Sequence, residues 1–234
     1  MSKIRVVGSM LLALSLTMVA AGVASATDLV VGHGIPGAKV DVCAATGGSL
    51  IELKSDFKYG QKFRATVPAG RYFITVRAAK GECNGAKLIK IGPVTFTGDE
   101  DLTVVATKNS GVPAALIFDN SEGYDSSTDP VLSIKHAAML GNADVWVSVV
   151  LNSKLASTEP TAADVPKGTN ANFLFDESDV RVSVGKAGTG QIAKETPFWA
   201  MKSGKINHVI PIGPPDKLRL LRFRTENKEA GEDL

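Results

Sequence analysis

His33-Gly34-Ile35-Pro36-Gly37-Ala38-Lys39-Val40-Asp41-Val42 returns later in the chain as His136-Ala137-Ala138-Met139-Leu140-Gly141-Asn142-Ala143-Asp144-Val145. In both copies an extended segment ends in His and a short loop of small residues follows. An Asp then stands eight positions after the His, between apolar strand residues. The offset of 103 residues is about one domain. Two matched copies, each flanked by strand-like sequence, read as an internal duplication. The duplication predicts two tandem β domains, 27–118 and 130–224. A polar linker, Asp119–Asp129, would join them, and a tail without apolar spacing, 225–234, would follow.

Outward from the repeat, the pattern stays extended. Asp28–Gly32, Ala38–Ala44, Gln61–Val67, Arg71–Ala78, Leu88–Ile91, Asp101–Thr107 and Ala114–Phe118 are rich in β-branched and aromatic residues. Gly, Pro, Asn and Asp punctuate them. Val131–Ala137, Ala143–Val150, Asn172–Phe175, Asp179–Gly185, Ile206–Ile212 and Leu218–Arg224 continue the plan. Tyr72, Ile74 and Val76 alternate and should share a core face. Val67-Pro68-Ala69-Gly70 reads as a tight turn, because Pro pre-sets φ and Gly admits positive φ. Val165-Pro166-Lys167-Gly168 is its approximate counterpart in the second copy. Short strands with frequent turn signals predict a sandwich or barrel and argue against an α/β enzyme fold.

The N-terminus supplies the cellular context. Lys3 and Arg5 precede the apolar run Met10–Ala21, and Gly22-Val23-Ala24-Ser25-Ala26 offers small residues for signal peptidase. This order predicts a cleaved signal peptide, 1–26, and an exported mature chain. The run is shorter than the ~20 residues a membrane span needs. No Cys follows the cleavage point and no second spanning run appears, so no membrane anchor is expected after cleavage. Losing Lys3 and Arg5 brings the 26 basic residues level with the 24 acidic ones. The remaining balance argues against a nucleic-acid partner. In an oxidising compartment the two cysteines, Cys43 and Cys83, read as one disulfide. Trp146 takes the place of Cys43 in the second copy and should fill core volume where the first copy has half of the disulfide.

The His–loop–Val-Asp-Val pair together with Val67-Pro68-Ala69-Gly70-Arg71-Tyr72 resembles the family catalogued as "domain of unknown function 4397". The resemblance spans nearly all of the mature chain. It implies an exported bacterial or archaeal protein with tandem immunoglobulin-like antiparallel β-sandwich domains, and it supplies no reaction.

Several residues carry candidate chemistry. His33/Asp41 and His136/Asp144 could form acid–base or metal half-sites, since a carboxylate can orient an imidazole. They could equally pin the loops between strands, and the structural reading is preferred. His208 reads as a strand residue. Asp99-Glu100-Asp101 and the linker carboxylates Asp119, Glu122, Asp125 and Asp129 offer oxygens suited to Ca²⁺ but lack the spacing of an EF-hand. Phe198 and Trp199, after Pro197, are a candidate sugar- or partner-binding surface, but packing in a core or between domains is the preferred reading, because large apolar side chains mostly end buried. No catalytic motif, metal set or cofactor fingerprint stands out. The expectation is an exported, non-enzymatic binding or structural module of the cell envelope or extracellular space, with a protein or glycan partner and no cofactor. Its rivals are an exported hydrolase using a His/Asp pair and a Ca²⁺-rigidified spacer.

Overall fold

The computed structural model describes residues 26–37, 39–98, 100–120, 129–149 and 160–226. The expected signal peptide up to residue 25 lies outside the described residues, as do Asp99, 121–128 of the expected linker and 227–234 of the expected tail.

The first half builds eight strands: β1 (Ala26–His33), β2 (Lys39–Thr46), β3 (Ser49–Lys58), β4 (Lys62–Pro68), β5 (Gly70–Ala78), β6 (Lys87–Phe96), β7 (Asp101–Asn109) and β8 (Val112–Asp119). The second half follows with β9 (Val131–Lys135), β10 (Ala143–Val149), β11 (Ala162–Val165), β12 (Asn170–Leu174) and β13 (Asp179–Lys186). Two short pieces, β14 (Lys194–Glu195) and β15 (Trp199–Ala200), precede β16 (Lys205–Ile212) and β17 (Arg219–Glu226). A 3₁₀ turn at Pro215–Lys217 is the one helical element among the described residues. No helix among them is long and apolar enough to cross a membrane.

The two halves are wired alike. The first pairs its strands in the orders β4-β1-β7-β8 and β3-β2-β5-β6, and the second repeats this as β12-β9-β16-β17 and β11-β10-β13-β14, with β15 also on β13. Each half contains one parallel pair, β1 with β7 and β9 with β16. The all-β sandwich expectation holds at this level, but the sheets are not wholly antiparallel. The strand order also differs from that of an immunoglobulin constant domain, where the first two strands are neighbours in one sheet. Here β1 and β2 lie in opposite sheets. The small-residue loop after His33 carries the chain across the sandwich rather than turning it back as a hairpin.

Alternation builds each core. Leu29, Val31, Val40, Val42, Ile74, Val76 and Phe96, from both sheets of the first half, share one buried cluster, and Tyr72 joins them as its spacing predicts. Leu132, Ile134, Val145, Val182, Val184 and Val209 do the same in the second half. β3 was not foreseen, because only Phe57 along it is buried. β17 runs two residues past the expected end at Arg224, and the buried Thr225 belongs to the sheet.

A third cluster joins the halves. Val105 and Phe118 pack with Ala137, Ile210, Ile212 and Leu221, so sheet β4-β1-β7-β8 lies face to face on sheet β12-β9-β16-β17. The molecule is therefore a four-layer stack, not two beads on a linker. Close approach at the seam requires glycine. A Cβ on Gly34 would stand 2.8 Å from the Ala106 carbonyl oxygen and 3.3 Å from Ile212, and one on Gly32 would stand 2.9 Å from Leu221. Polar bonds cross the same seam. The Thr107 hydroxyl donates to the Ala137 carbonyl at 2.9 Å, and the fully buried Lys135 ammonium donates to the Asp119 carbonyl at 2.9 Å. The Arg64 guanidinium donates to the Arg224 carbonyl, and the Tyr59 hydroxyl to that of Lys217.

Candidate functional site

The His and Asp of each repeat are placed by the same two rules. His33 follows Leu29 and Val31 on the inward face of β1, and its ring lies 5.5 Å from that of the core residue Phe57. Asp41 sits between Val40 and Val42, both in the core, so its side chain leaves by the outer face of the opposite sheet. There its carboxylate accepts from the amides of Asp56 at 3.1 Å and of Lys80 and Gly81 at 3.0 Å. Asp144 accepts in the same way from Asp164 and Gly188, both at 2.9 Å. Asp56 and Asp164 are matched bulge residues with positive φ, 48° and 56°. Each conserved position of the repeat thus ties a bulge and the loop over it to one carboxylate.

The histidines are spent on their own loops. The His33 Nδ1 accepts from the Ile35 amide at 3.4 Å, and the His136 Nδ1 from the Ala138 amide at 3.4 Å. His136 Nε2 lies 2.7 Å from the Gly141 carbonyl, which can only accept, so Nε2 carries the proton. Burial lowers the His136 pKa, the Gly141 carbonyl works against that shift, and nearby Lys167 adds to it. The ring is a neutral loop pin. Neither His shares a sheet face with the Asp of its repeat, so the structure does not bring the suspected acid–base pairs together.

Cys43 and Cys83 are joined, with their Cα atoms 6.2 Å apart. Cys43 lies on the outer face of β2, and the bridge holds the Lys80–Gly85 loop down over that face. Trp146, its counterpart, is also almost fully buried on the outer face of β10. It does not enter the core between the sheets. Its ring lies against Gly185, where a Cβ would stand 3.2 Å from it, beneath the β13–β14 loop. One half staples its loop covalently and the other props it on an indole.

The acidic candidates serve turns. Glu100 accepts from the hydroxyl of Thr27 at 2.7 Å, from the amide and hydroxyl of Thr97, and from the Gly98 amide. Burial acts to raise its pKa, but the Thr27 and Thr97 hydrogen bonds outweigh this and hold the carboxyl well below the usual carboxylate range. Asp101 accepts from Asn120. No group of three or more metal-ligating side chains occurs among the described residues. Asp99, Glu122 and Asp125 lie outside them.

The most developed concavity is a cleft of about 680 Å³ along one side of the stack. Each of the four sheets contributes an edge to it: β3 with Lys54, β4 with Lys62 and Phe63, β17 with Arg222 and Arg224, and β15 with Trp199. Its lining carries four cations and no carboxylate among the described residues. The Arg222 guanidinium lies 5.1 Å over the Trp199 ring. Arg224 is anchored by its donation to Asn207 Oδ1 at 2.7 Å and to the Ala200 carbonyl, so its charge is fixed at the wall. Of the two aromatics singled out in the sequence, Trp199 lines this cleft. Phe198 does not, and lies under Arg181, 5.0 Å from ring centroid to guanidinium.

His208 forms part of the cleft lining although only 1% of its surface is exposed. Its Nε2 is 2.8 Å from the Thr225 hydroxyl, and its ring stacks on Phe223 at 4.5 Å. Its Nδ1 is buried with no hydrogen-bond partner among the described residues. Burial first, then the positive charges of Lys135 and Arg64, push its pKa well below the ordinary value and keep the ring neutral. Sequence reasoning missed this site. The available signal was a cation-aromatic-cation triplet on each of two strands, Lys62-Phe63-Arg64 and Arg222-Phe223-Arg224.

No protein-family model matches the chain, and no curated protein does. Solved structures with a partial likeness include a "putative cell adhesion protein" from Bacteroides uniformis, 10% identical, covering 87% of this chain and 98% of that one at a TM-score of 0.27. Another is a carbohydrate-binding module of family CBM26 from Eubacterium rectale in complex with maltoheptaose, 8% identical, covering 86% and 99% at 0.26. A third is a DUF3823 family protein from Bacteroides ovatus, 11% identical, covering 77% and 98% at 0.20. At such scores these likenesses carry no argument about function.

Proposed function

We propose that the chain is an exported, non-catalytic binding module of the cell envelope or extracellular space, and that the cleft along the four sheet edges is where it holds its partner. The cleft's one-sided charge carries this reading: four cations from three separate strands converge on one concavity, while the His and Asp of the repeat are consumed in loop architecture. Export rests on the N-terminal sequence, with cleavage after Ala26 and Thr27 left at the head of β1. The division into domains at 27–118 and 130–224, and descent from the "domain of unknown function 4397" lineage, are likewise our reading of the repeat.

The test compares residues 27–234 with the charge-reversed variant Lys62→Glu/Arg222→Glu, each immobilised and exposed to envelope proteins and glycans from the producing cells. Retention of a specific partner by the parent and its loss from the variant supports the proposal. Equal retention by both proteins overturns the cleft as the binding site.

A further inference from the structure

Resting on that binding-module reading, we infer that the partner enters the cleft as an extended acidic peptide segment. It adds to the open edge of β4 as a fifth strand of the β4-β1-β7-β8 sheet. The ladder between β1 and β4 decides which backbone groups face out. The His33 amide donates to the Gln61 carbonyl at 3.1 Å, and Val31 stands opposite Phe63, Leu29 opposite Ala65 and Thr27 opposite Val67. Hydrogen-bonded pairs recur at every second residue of an antiparallel ladder. Gln61, Phe63, Ala65 and Val67 therefore turn their backbone groups toward β1, while Lys62, Arg64 and Thr66 turn theirs away, on the side that opens into the cleft. These three are exposed residues of an edge strand, and their outward backbone groups take no hydrogen bond among the described residues. Pro68, which has no N–H to leave unpaired, falls on the same outward parity.

Such an edge matches a polypeptide rather than another polyanion. Each outward residue offers one donor and one acceptor, and a peptide backbone carries the complementary pair at the same repeat. A glycan or a nucleic-acid strand brings charge without that ladder. Charge and alternation then narrow the peptide. Phe63 and Val67 pack on the core of the first half, while Arg64 points the other way and donates to the Arg224 carbonyl. Side chains alternate between the faces of a strand, so an added strand sets one row of residues beside Phe63 and the other beside Lys62 and Arg64. Arg222 and Arg224 of β17 line the same cleft, and no carboxylate among the described residues does. The segment that fits alternates acidic and apolar residues. The edge of β17 is the poorer template, because its Arg224 carbonyl already accepts from Arg64. Cations on an edge strand also keep it from pairing with its own copy. The charges that repel a second β4 attract an acidic strand, so the two roles coincide.

Calorimetry on residues 27–234 with a hexapeptide alternating Asp and Val tests the inference, together with amide hydrogen exchange. We expect this peptide to bind and its Lys–Val counterpart not to bind. Exchange at the Lys62, Arg64 and Thr66 amides should slow at least roughly tenfold, as for amides newly tied into a ladder. The block isomer Asp-Asp-Asp-Val-Val-Val, and the variant Lys62→Ala, should each bind at least roughly tenfold more weakly. N-methylation of every second peptide amide leaves the protein untouched; of its two phases, one should abolish binding and the other spare it. Equal affinity of the two methylated forms, unslowed exchange at those amides, or equal binding of a hexagalacturonate or a DNA hexanucleotide overturns strand addition. Absence of binding by the alternating peptide, while Lys62→Glu/Arg222→Glu still loses its envelope partner, overturns this inference alone and leaves the binding-module reading standing.

Discussion

The two halves share one wiring diagram and solve the same mechanical problem differently. In the first, a loop over the outer face is held by Asp41 through three amides and by the Cys43–Cys83 bridge. In the second, Asp144 holds two amides and Trp146 takes the place of the bridge. The buried polar pair on the seam differs too. Thr103 donates to Asn120 at 2.8 Å in the first half, and the matching positions in the second hold His208 and Thr225. The carboxylate is the part that the fold requires, since both halves keep it. The staple and the seam pair are free to vary, and the candidate site stands where the seam pair became a histidine.

The comparison can be broken most forcefully at the carboxylates. Asp41→Ala strands three amide donors and should cost about 5 kcal/mol, against about 3 for Asp144→Ala, allowing 1–3 per unsatisfied group with partial access to water. Urea denaturation measures both. Equal losses would mean that the two loops are held alike. Removing the bridge in Cys43→Ala/Cys83→Ala should cost about 4 kcal/mol by loop entropy. A reductant should reproduce that loss in the parent and leave the second half untouched, read by Trp146 fluorescence. The smallest effect concerns acid. The depressed Glu100 pKa gives stability that is fully present above the unfolded value near ~4.3 and is lost as pH falls through the folded one. Glu100 is largely exposed to solvent screening, so its contribution to stability is modest although the shift is large. Glu100→Gln should flatten the acid limb of a thermal melt below that pH, and an unchanged limb would show that the turn contributes nothing.

The fold was legible because its main determinant is local and repeated. A His that ends a strand, a loop of small residues and an Asp between two valines place two strands and a crossover within ten residues, twice. Cys43 and Cys83 were legible by their number alone. The wiring was not, because whether β2 returns beside β1 or crosses to the opposite sheet depends on packing between sheets. β3 escaped because an edge strand with one buried side chain carries no alternation. The cleft escaped for a larger reason. Lys54 and Lys62 lie far in sequence from Arg222 and Arg224, and a net charge near zero hides how strongly the fold sorts cations to one side. Of its lining only Trp199 was named beforehand as a binding candidate, as an aromatic near a proline, while His208 was read as a strand residue.

One position on the seam has a further consequence. Where the second half carries the buried Lys135, the first has Gly32, bare enough to admit Leu221. The halves have become a protrusion and a recess, so they are no longer interchangeable parts. A chain assembled from two copies of the second half would bury two ammonium groups in a single seam, at a heavy desolvation cost. One assembled from two copies of the first would have no cation to reach the carbonyl that Lys135 now caps. The duplication has passed the point at which either copy could stand in for the other.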